Sequence, residues 1–279
     1  MLIEFILLII APMCACIILA GIHSYLGMHV VRRGVIFVDL ALAQIAALGA
    51  ITSFFIGYSL DSSMSYWISL GFTLSGAVLL SFIRSSKEII PQEAIIGIVY
   101  VIASAMTIML LNKSPNGGEE LKSILIGQIL FVDWSDVIEL SILYSFIGVL
   151  HWVFRKPLWE ITRNSTKATQ NLSKTRWYDF IFYASFGVVV TSSVRIGGVL
   201  LVFTYLVIPV VCSMLFFNRV FQQLIFAWTL ALLCSFIGFV GSYYLDSPPG
   251  ATIICSFGVV IGICFLLKKL KIFTVFLKI

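Results

Sequence analysis

Long apolar segments, separated by short polar breaks, constrain this chain more than any other feature of its sequence. A transmembrane helix needs roughly 20 apolar residues, at 1.5 Å rise each, to cross about 30 Å of hydrocarbon. The segments are continuously apolar, whereas the strands of a transmembrane β-barrel alternate apolar and polar residues. We therefore interpret them as helices. They cover residues 3–22, 35–57, 66–83, 94–111, 137–154, 177–193, 197–217, 222–244 and 250–267.

The composition excludes several other classes of protein. The 279 residues are 60% hydrophobic and 11% charged, whereas a soluble domain is about half apolar and about a quarter charged. So few charges cannot cover a water-facing surface, which argues against a soluble enzyme, a disordered chain or a disulfide-rich secreted domain. We predict an all-α polytopic transmembrane helical bundle with 8–9 spans, forming a single domain over residues 1–279. The number stays open because only a short link separates segments 177–193 and 197–217.

The placement of the basic residues predicts how the chain is oriented. Cytoplasmic segments carry an excess of Lys and Arg. With nine spans, the N-terminus outside and the C-terminus in the cytoplasm, only Lys113, Lys122 and Arg195 of the basic residues fall outside. The opposite orientation would place most of them outside. No basic patch stands apart from the loops, so we expect no nucleic acid partner.

Two regions do not fit the pattern of spans. An exterior region at about 113–136 contains the apolar stretch 121–132, which is too short to cross and predicts a re-entrant or interfacial helix. A polar cytoplasmic loop at about 155–176 is too small to be a nucleotide-binding domain. The chain also lacks the phosphate-binding pattern GxxxxGK[ST]. Any ATP hydrolysis must therefore come from another chain, to which this loop could couple; the alternative is a solvated connector.

Asp39 is the main candidate for a functional side chain. It lies a few residues into the second segment, and ionisable groups at membrane depth are costly and usually functional. We predict a cation ligand or gate; the alternative is an ion pair with Arg32 or Arg33. Gln44 is a weaker candidate, because five residues place it about 140° around the helix from Asp39. It could instead hydrogen-bond to a neighbouring helix.

Three further side chains could join a metal site. His23 and His29 lie between the first two segments, and neutral imidazole is a common ligand of Zn²⁺. Interfacial histidine is also common, so that alternative stays open. Glu93 follows Pro91 at the head of the fourth segment. It could bind a cation, or it could simply complement the helix dipole at a helix start.

Several short motifs follow one another along nearly the whole chain. In this order they resemble the permease subunits of the bacterial ABC-3 metal-uptake transporters, which import zinc, manganese or iron. The motifs are Leu26-Gly27 with Val31-Arg32-Arg33-Gly34, residues 37–49 (FVDLALAQIAALG), residues 93–100 (EAIIGIVY), residues 126–130 (IGQIL), residues 198–202 (GVLLV) with 206–209 (LVIP), and residues 242–251 (SYYLDSPPGA).

The resemblance implies a particular assembly. It implies a type II ABC importer-like permease in the bacterial cytoplasmic (inner) membrane, forming a homodimer around one path. It also implies a pair of ATP-binding cassette subunits and an extracytoplasmic solute-binding protein. The permease itself would be non-catalytic and would hold no permanent cofactor; the divalent metal, Zn or Mn, would be cargo.

Two departures from the family pattern bear on the site residues. Much of the family has a histidine four residues after the aspartate, where this chain has Ala43. The resemblance then leaves Asp39 with His23, His29 or Gln44 as further donors. Histidine with carboxylate would favour zinc, which we expect; carboxylate with amide oxygen would favour manganese. The cytoplasmic loop also departs, and the residues expected to couple to the ATPase are Trp159, Glu160 and Arg163.

Other functions predict different properties. A permease for a metal chelate, such as a siderophore or cobalamin, would need a wide cavity without a charged constriction. A secondary transporter would work without an ATPase. An intramembrane enzyme would need a catalytic motif, and neither HExxH nor GxSxG occurs in the chain.

Overall fold

A computed structural model describes residues 2–60, 62–83, 90–114, 117–163 and 172–270. Those residues form helices and no strand, which confirms the all-α prediction. A 3₁₀ turn at Ile129–Phe131 lies between the fifth and sixth helices. The helices are α1 Leu2–Arg33, α2 Val38–Phe55, α3 Ser63–Ile83, α4 Gln92–Leu111, α5 Gly117–Ile126, α6 Trp134–Val153, α7 Arg155–Arg163, α8 Leu172–Phe216, α9 Val220–Leu245 and α10 Pro249–Lys269.

Eight of these helices are long and apolar enough to cross a membrane, by length and composition. Their bounds lie within a few residues of the predicted segments, except at the end of α1 and at the start of α8. A single helix, α8, covers both of the predicted segments 177–193 and 197–217. The continuous apolar segments are therefore a reliable guide to the spans of this chain.

The helix α8 is broken near its middle. Its 45 residues would extend about 68 Å at 1.5 Å per residue, roughly twice the hydrocarbon thickness. Gly198 interrupts it with φ 72° and ψ 163°, a backbone conformation that is essentially restricted to glycine. The break falls at the link between the two predicted segments, so α8 consists of two helices joined at Gly198.

The first helix is longer than its apolar segment. The sequence predicts an end near residue 22, but α1 continues to Arg33. His23 and His29 therefore lie within α1, and the prediction that they occupy the region between two spans is wrong. Both side chains are fully buried, so they lie inside the helical bundle, which the hydropathy of this stretch does not predict. Gly34 then ends the helix with φ +67°, as a glycine just after a helix end often does.

The two non-spanning regions also contain helices. Within 155–176, α7 occupies Arg155–Arg163 and α8 begins at Leu172, while residues 164–171 lie outside the described ranges. In the region predicted to be exterior, α5 has 10 residues, about 15 Å at 1.5 Å per residue. It is too short to cross, as its sequence predicts.

The chain divides into two compact units. The first contains residues 1–31, 128–142 and 200–279. Its helices approach closely at glycines: a β-carbon at Gly238 would lie 2.5 Å from Cα of Ile253, and one at Gly27 would lie 2.0 Å from the carbonyl oxygen of Leu206. Such contacts bring helix backbones together, as is common in membrane bundles.

The second unit contains residues 32–127 and 143–199. In it α2 packs against α3 and α4, and Ser69 donates a hydrogen bond to the carbonyl of Ala46 at 2.7 Å. The end of α5 meets the break in α8, where a β-carbon on Gly198 would lie 2.3 Å from the backbone nitrogen of Gly127. This unit holds α2, and therefore the main candidate residue.

Candidate functional site

Asp39 lies in the first turn of α2 and is fully buried. Among the residues that the structure describes, neither of its carboxylate oxygens has a hydrogen-bond partner. A buried polar group almost always has such a partner, because its desolvation is otherwise uncompensated. The structure therefore leaves a complete carboxylate available at the start of this helix.

Glu93 reaches the same turn from the neighbouring helix. It lies in the first turn of α4, as its sequence predicts, and its Oε1 accepts a hydrogen bond from the backbone N–H of Phe37 at 2.9 Å. Phe37 directly precedes α2, so Glu93 caps the start of the helix that carries Asp39. The second carboxylate oxygen, Oε2, is buried and has no partner within the described ranges.

The start of α2 thus gathers two carboxylates with three oxygen atoms that lack a hydrogen-bond partner among the described residues. The positive end of the α2 dipole favours negative charge there, but only by roughly 0.3–1 kcal/mol at an exposed site. An uncompensated buried carboxylate costs much more than that. A cation would compensate for this cost, and carboxylate oxygens are suitable ligands for it.

The expected alternative, in which Asp39 pairs with a neighbouring arginine, is wrong. Arg33 instead pairs with Asp179, with 2.9 Å between Nη1 and Oδ1, and both side chains are almost completely buried. Arg32 lies over the ring of Trp159, 5.4 Å from its centroid. The sequence interpretation did not single out Asp179. Asp179 is a charged residue near the start of the apolar segment 177–193, and this position could have identified it as a candidate.

Arg33 makes further contacts through the rest of its guanidinium group. Its Nε donates to Oγ1 of Thr162 at 3.0 Å, and its Nη2 donates to the carbonyl of Leu158 at 3.5 Å. The guanidinium carbon lies 4.2 Å from the ring centroid of Phe182. Arg33 therefore binds both α7 and the first part of α8.

The other predicted ligands occupy different positions. Gln44 is buried on α2, at the large angular separation from Asp39 that the spacing predicts. His23 donates through Nδ1 to the carbonyl of Leu19 at 2.8 Å, and His29 packs edge-on against Tyr25 with 5.1 Å between ring centroids. Both histidines belong to the first unit, whereas Asp39 belongs to the second. Six residues place them about 120° apart around α1.

A preformed chelate is not found in the part of the chain that the structure describes. There, no group of three or more His, Cys, Asp and Glu side chains could hold a metal ion. Of the predicted ligands, two lie at the same end of α2: Asp39 in its first turn, and Glu93 at the backbone N–H of Phe37.

The residues expected to couple to an ATPase lie on α7. Its inner side buries Leu158, Ile161 and Thr162. Glu160 and Arg163 are exposed. Trp159 is half-buried, with Arg32 and Arg163 both over its ring. The exposed residues of α7 are available to a partner, while Trp159 also packs within the chain.

The other end of α2 borders a small cavity of about 100 Å³. Ala46, Ala47 and Ala50 line it, together with hydroxyl side chains of α3, α5 and α8. Spacings of seven, eight and eleven residues place these alanines on roughly the same helix face as Asp39. The cavity therefore lies towards the other end of the same side of α2, and its lining also includes Arg195.

Comparison with solved structures supports this fold. PsaBC from Streptococcus pneumoniae, in complex with Fab, is similar with a TM-score of 0.73 and 20% identity, covering 95% of each chain. An inward-facing metal-chelate type ABC transporter is similar with a TM-score of 0.66 and 16% identity, covering 91% of this chain and 85% of that one. These likenesses show a shared fold.

Comparison with known sequences gives relatives over different lengths. A metal transport system membrane protein of Chlamydia trachomatis is 28% identical over 182 residues, which are 64% of this chain and 61% of that protein. The match thus spans about three fifths of that relative. A manganese transport system membrane protein of Halalkalibacterium halodurans is 21% identical, over 86% of this chain and 80% of the relative.

The family comparison covers nearly the whole sequence. The model of the ABC 3 transport family matches residues 6–268. This range includes the eight candidate spans almost completely, the acidic start of α2 and the helix α7. The chain is therefore a multi-pass membrane protein that belongs to the ABC 3 transport family.

Proposed function

We propose that this chain is the permease subunit of an ATP-driven importer of divalent metal ions, and that Asp39 is a ligand on the translocation path. The observation that carries the proposal is a fully buried carboxylate whose oxygens both lack a hydrogen-bond partner within the described ranges. Membership of the ABC 3 transport family supports the transport role.

The proposed mechanism is alternating access. An ion that leaves water for the membrane loses part of its hydration, and the charge of Asp39 compensates for part of that loss. Glu93 adds a second negative charge at the same end of α2. Because few protein ligands hold the ion, it can leave when the path opens to the other side. The metal is cargo, and we propose no permanently bound cofactor.

The remaining parts of the assembly are proposed from the family resemblance. Two copies of the chain would line the path, a separate ATP-binding cassette subunit would hydrolyse ATP, and an extracytoplasmic binding protein would deliver the ion. The exposed side of α7, with Glu160 and Arg163, would meet the ATPase. Counting α8 as two crossings, nine spans would place the N-terminus outside and the C-terminus in the cytoplasm of a bacterial cell.

The identity of the metal depends on which donors join Asp39. Zinc is the expectation from the sequence, because histidine together with carboxylate favours it. Oxygen donors alone, such as Asp39 and Glu93, favour manganese. The manganese-related name of the Halalkalibacterium halodurans relative is consistent with this second possibility.

A reconstitution experiment tests the proposal. The chain and its ATPase partner are placed in liposomes, the binding protein is added outside, and uptake of Zn²⁺ and Mn²⁺ is measured with and without ATP. We expect ATP-dependent uptake that Asp39→Ala abolishes and Asp133→Ala leaves intact, because Asp133 is exposed. Uptake that is the same with and without ATP would indicate a secondary transporter. Uptake that survives Asp39→Ala would contradict the ligand role and would favour transport of a chelate.

A further inference from the structure

We propose that Arg33 is a positioning residue that transmits movement of α7 to the turn carrying Asp39. The inference rests on the proposed function, in which the exposed side of α7 meets the ATPase. It goes beyond that proposal by naming the connection between the docking helix and the metal ligand. All residues of this connection belong to the second compact unit.

The first part of the connection joins α7 to α8. Arg33 donates to Thr162 and to the Leu158 carbonyl on the buried side of α7, and it pairs with Asp179 on α8. A guanidinium group is rigid and planar and presents its donors in fixed directions. One buried side chain therefore fixes where α7 lies on this unit.

The second part runs along the chain from Arg33 to Asp39. Gly34 ends α1, and the backbone N–H of Val38 donates to the carbonyl of Val35 at 3.2 Å to close the turn. Glu93 then holds the N–H of Phe37 at 2.9 Å. Five residues, fixed at several points, thus separate Arg33 from Asp39 along the chain. A shift of α7 has a short and constrained route to the metal ligand.

The buried pair also needs an explanation that stability alone does not supply. Well-packed hydrophobic residues of similar volume often replace a buried ion pair without loss of stability. Arg33 is held by three polar groups, two on α7 and one on α8. These directional bonds fix the position of α7 relative to α8, which apolar contacts do not do. We infer that Arg33 and Asp179 serve coupling.

The same chemistry suggests a variant that removes the connection and that we expect to fold. The double variant Arg33→Met with Asp179→Leu replaces both charges with apolar groups and leaves no buried charge unpaired. Thr162 keeps its own hydrogen bond to the Leu158 carbonyl at 2.8 Å. The complete complex is reconstituted in liposomes, and metal uptake and ATP hydrolysis are measured on the same samples.

In the double variant we expect uptake per ATP hydrolysed to fall about tenfold, because the link between α7 and the turn carrying Asp39 is lost. ATP hydrolysis should stay within about twofold of the wild type, because the ATPase subunit itself is unchanged. Arg33→Lys should give an intermediate ratio, since lysine keeps the charge but cannot bind in three fixed directions. A folding defect would instead lower uptake and hydrolysis in proportion.

A control variant tests the specificity of the effect. Tyr144→Phe removes buried hydrogen bonds between α6 and α8 of the same unit, including one to Ser192 at 3.0 Å, without touching α7. Its uptake per ATP should equal that of the wild type. An unchanged ratio in the double variant, or an equal drop in Tyr144→Phe, would overturn the role of Arg33. If the wild type shows no ATP-driven uptake, the proposed function fails as well.

Discussion

Asp39 and Asp179 are the same residue type, and both are fully buried, but their surroundings differ. Asp179 pairs with Arg33 at 2.9 Å and connects two helices. Asp39 has no hydrogen-bond partner for either oxygen within the described part of the chain. The comparison shows that burial alone does not distinguish a structural carboxylate from one that is available to a cation. What distinguishes them is whether the carboxylate has an ion-pair or hydrogen-bond partner within the described part of the chain.

The largest expected effect separates the two aspartates by activity. Asp39→Asn should lower metal uptake about 100-fold, because a charged ligand contributes about 3 kcal/mol and each 1.4 kcal/mol is a factor of ten. The unfolding midpoint in detergent should stay the same or rise, since an isolated buried charge is removed. Uptake assays and thermal unfolding measure the two effects. A large fall in the midpoint would show that Asp39 is structural, like Asp179.

The second prediction concerns stability. Asp179→Ala should lower the free energy of unfolding by about 3–5 kcal/mol, because it leaves the Arg33 guanidinium buried without its partner. Thermal unfolding of the purified chain measures the loss. Lys122→Ala, at an exposed position of α5, provides the comparison and should change stability by less than about 0.5 kcal/mol. Equal losses in the two variants would contradict the structural role of the pair.

Glu93 should give an intermediate result that sharpens the comparison. Glu93→Gln keeps an oxygen acceptor for the N–H of Phe37 but removes the negative charge. We expect uptake to fall about tenfold, a loss of about 1.4 kcal/mol, with little change in stability. Glu93→Ala should in addition destabilise the chain by about 0.5–2 kcal/mol, the usual cost of a lost helix cap. If both variants lose stability equally, the carboxylate serves the fold alone.

Arg32 should show the smallest effect. It neighbours Arg33, but it lies over the ring of Trp159, 5.4 Å from the ring centroid. Arg32→Ala should therefore cost about 0.5–1 kcal/mol, the usual value of an exposed cation–π contact. Thermal unfolding of this variant beside Asp179→Ala measures the difference. A loss as large as that of Asp179→Ala would show that the two arginines share one role.

The sequence predicts the spans because burial in a bilayer requires long apolar segments, and those are local in the chain. It misses the end of α1, because His23 and His29 are buried polar residues within a helix. Their burial depends on neighbouring helices, which hydropathy does not report. The break at Gly198 is visible only as a short link between two segments.

The candidate site is predicted in part. Asp39 is recognisable from the sequence, since a lone carboxylate in an apolar segment is rare. Its lack of an arginine partner is not recognisable, because Arg33 lies nearer in sequence to Asp39 than to Asp179. Only the fold brings residues 33 and 179 together. The position of Glu93 at the start of α2 depends in the same way on how α4 packs.

The break in α8 has a consequence for how this chain can mutate. Gly198 has a backbone conformation essentially limited to glycine, and Gly127 lies against it. Every single-base missense change in a glycine codon produces an amino acid with a β-carbon, which would meet backbone atoms at both positions. No amino-acid substitution should therefore be neutral at Gly127 or Gly198. A saturation mutagenesis library selected for function should recover only glycine codons at both positions.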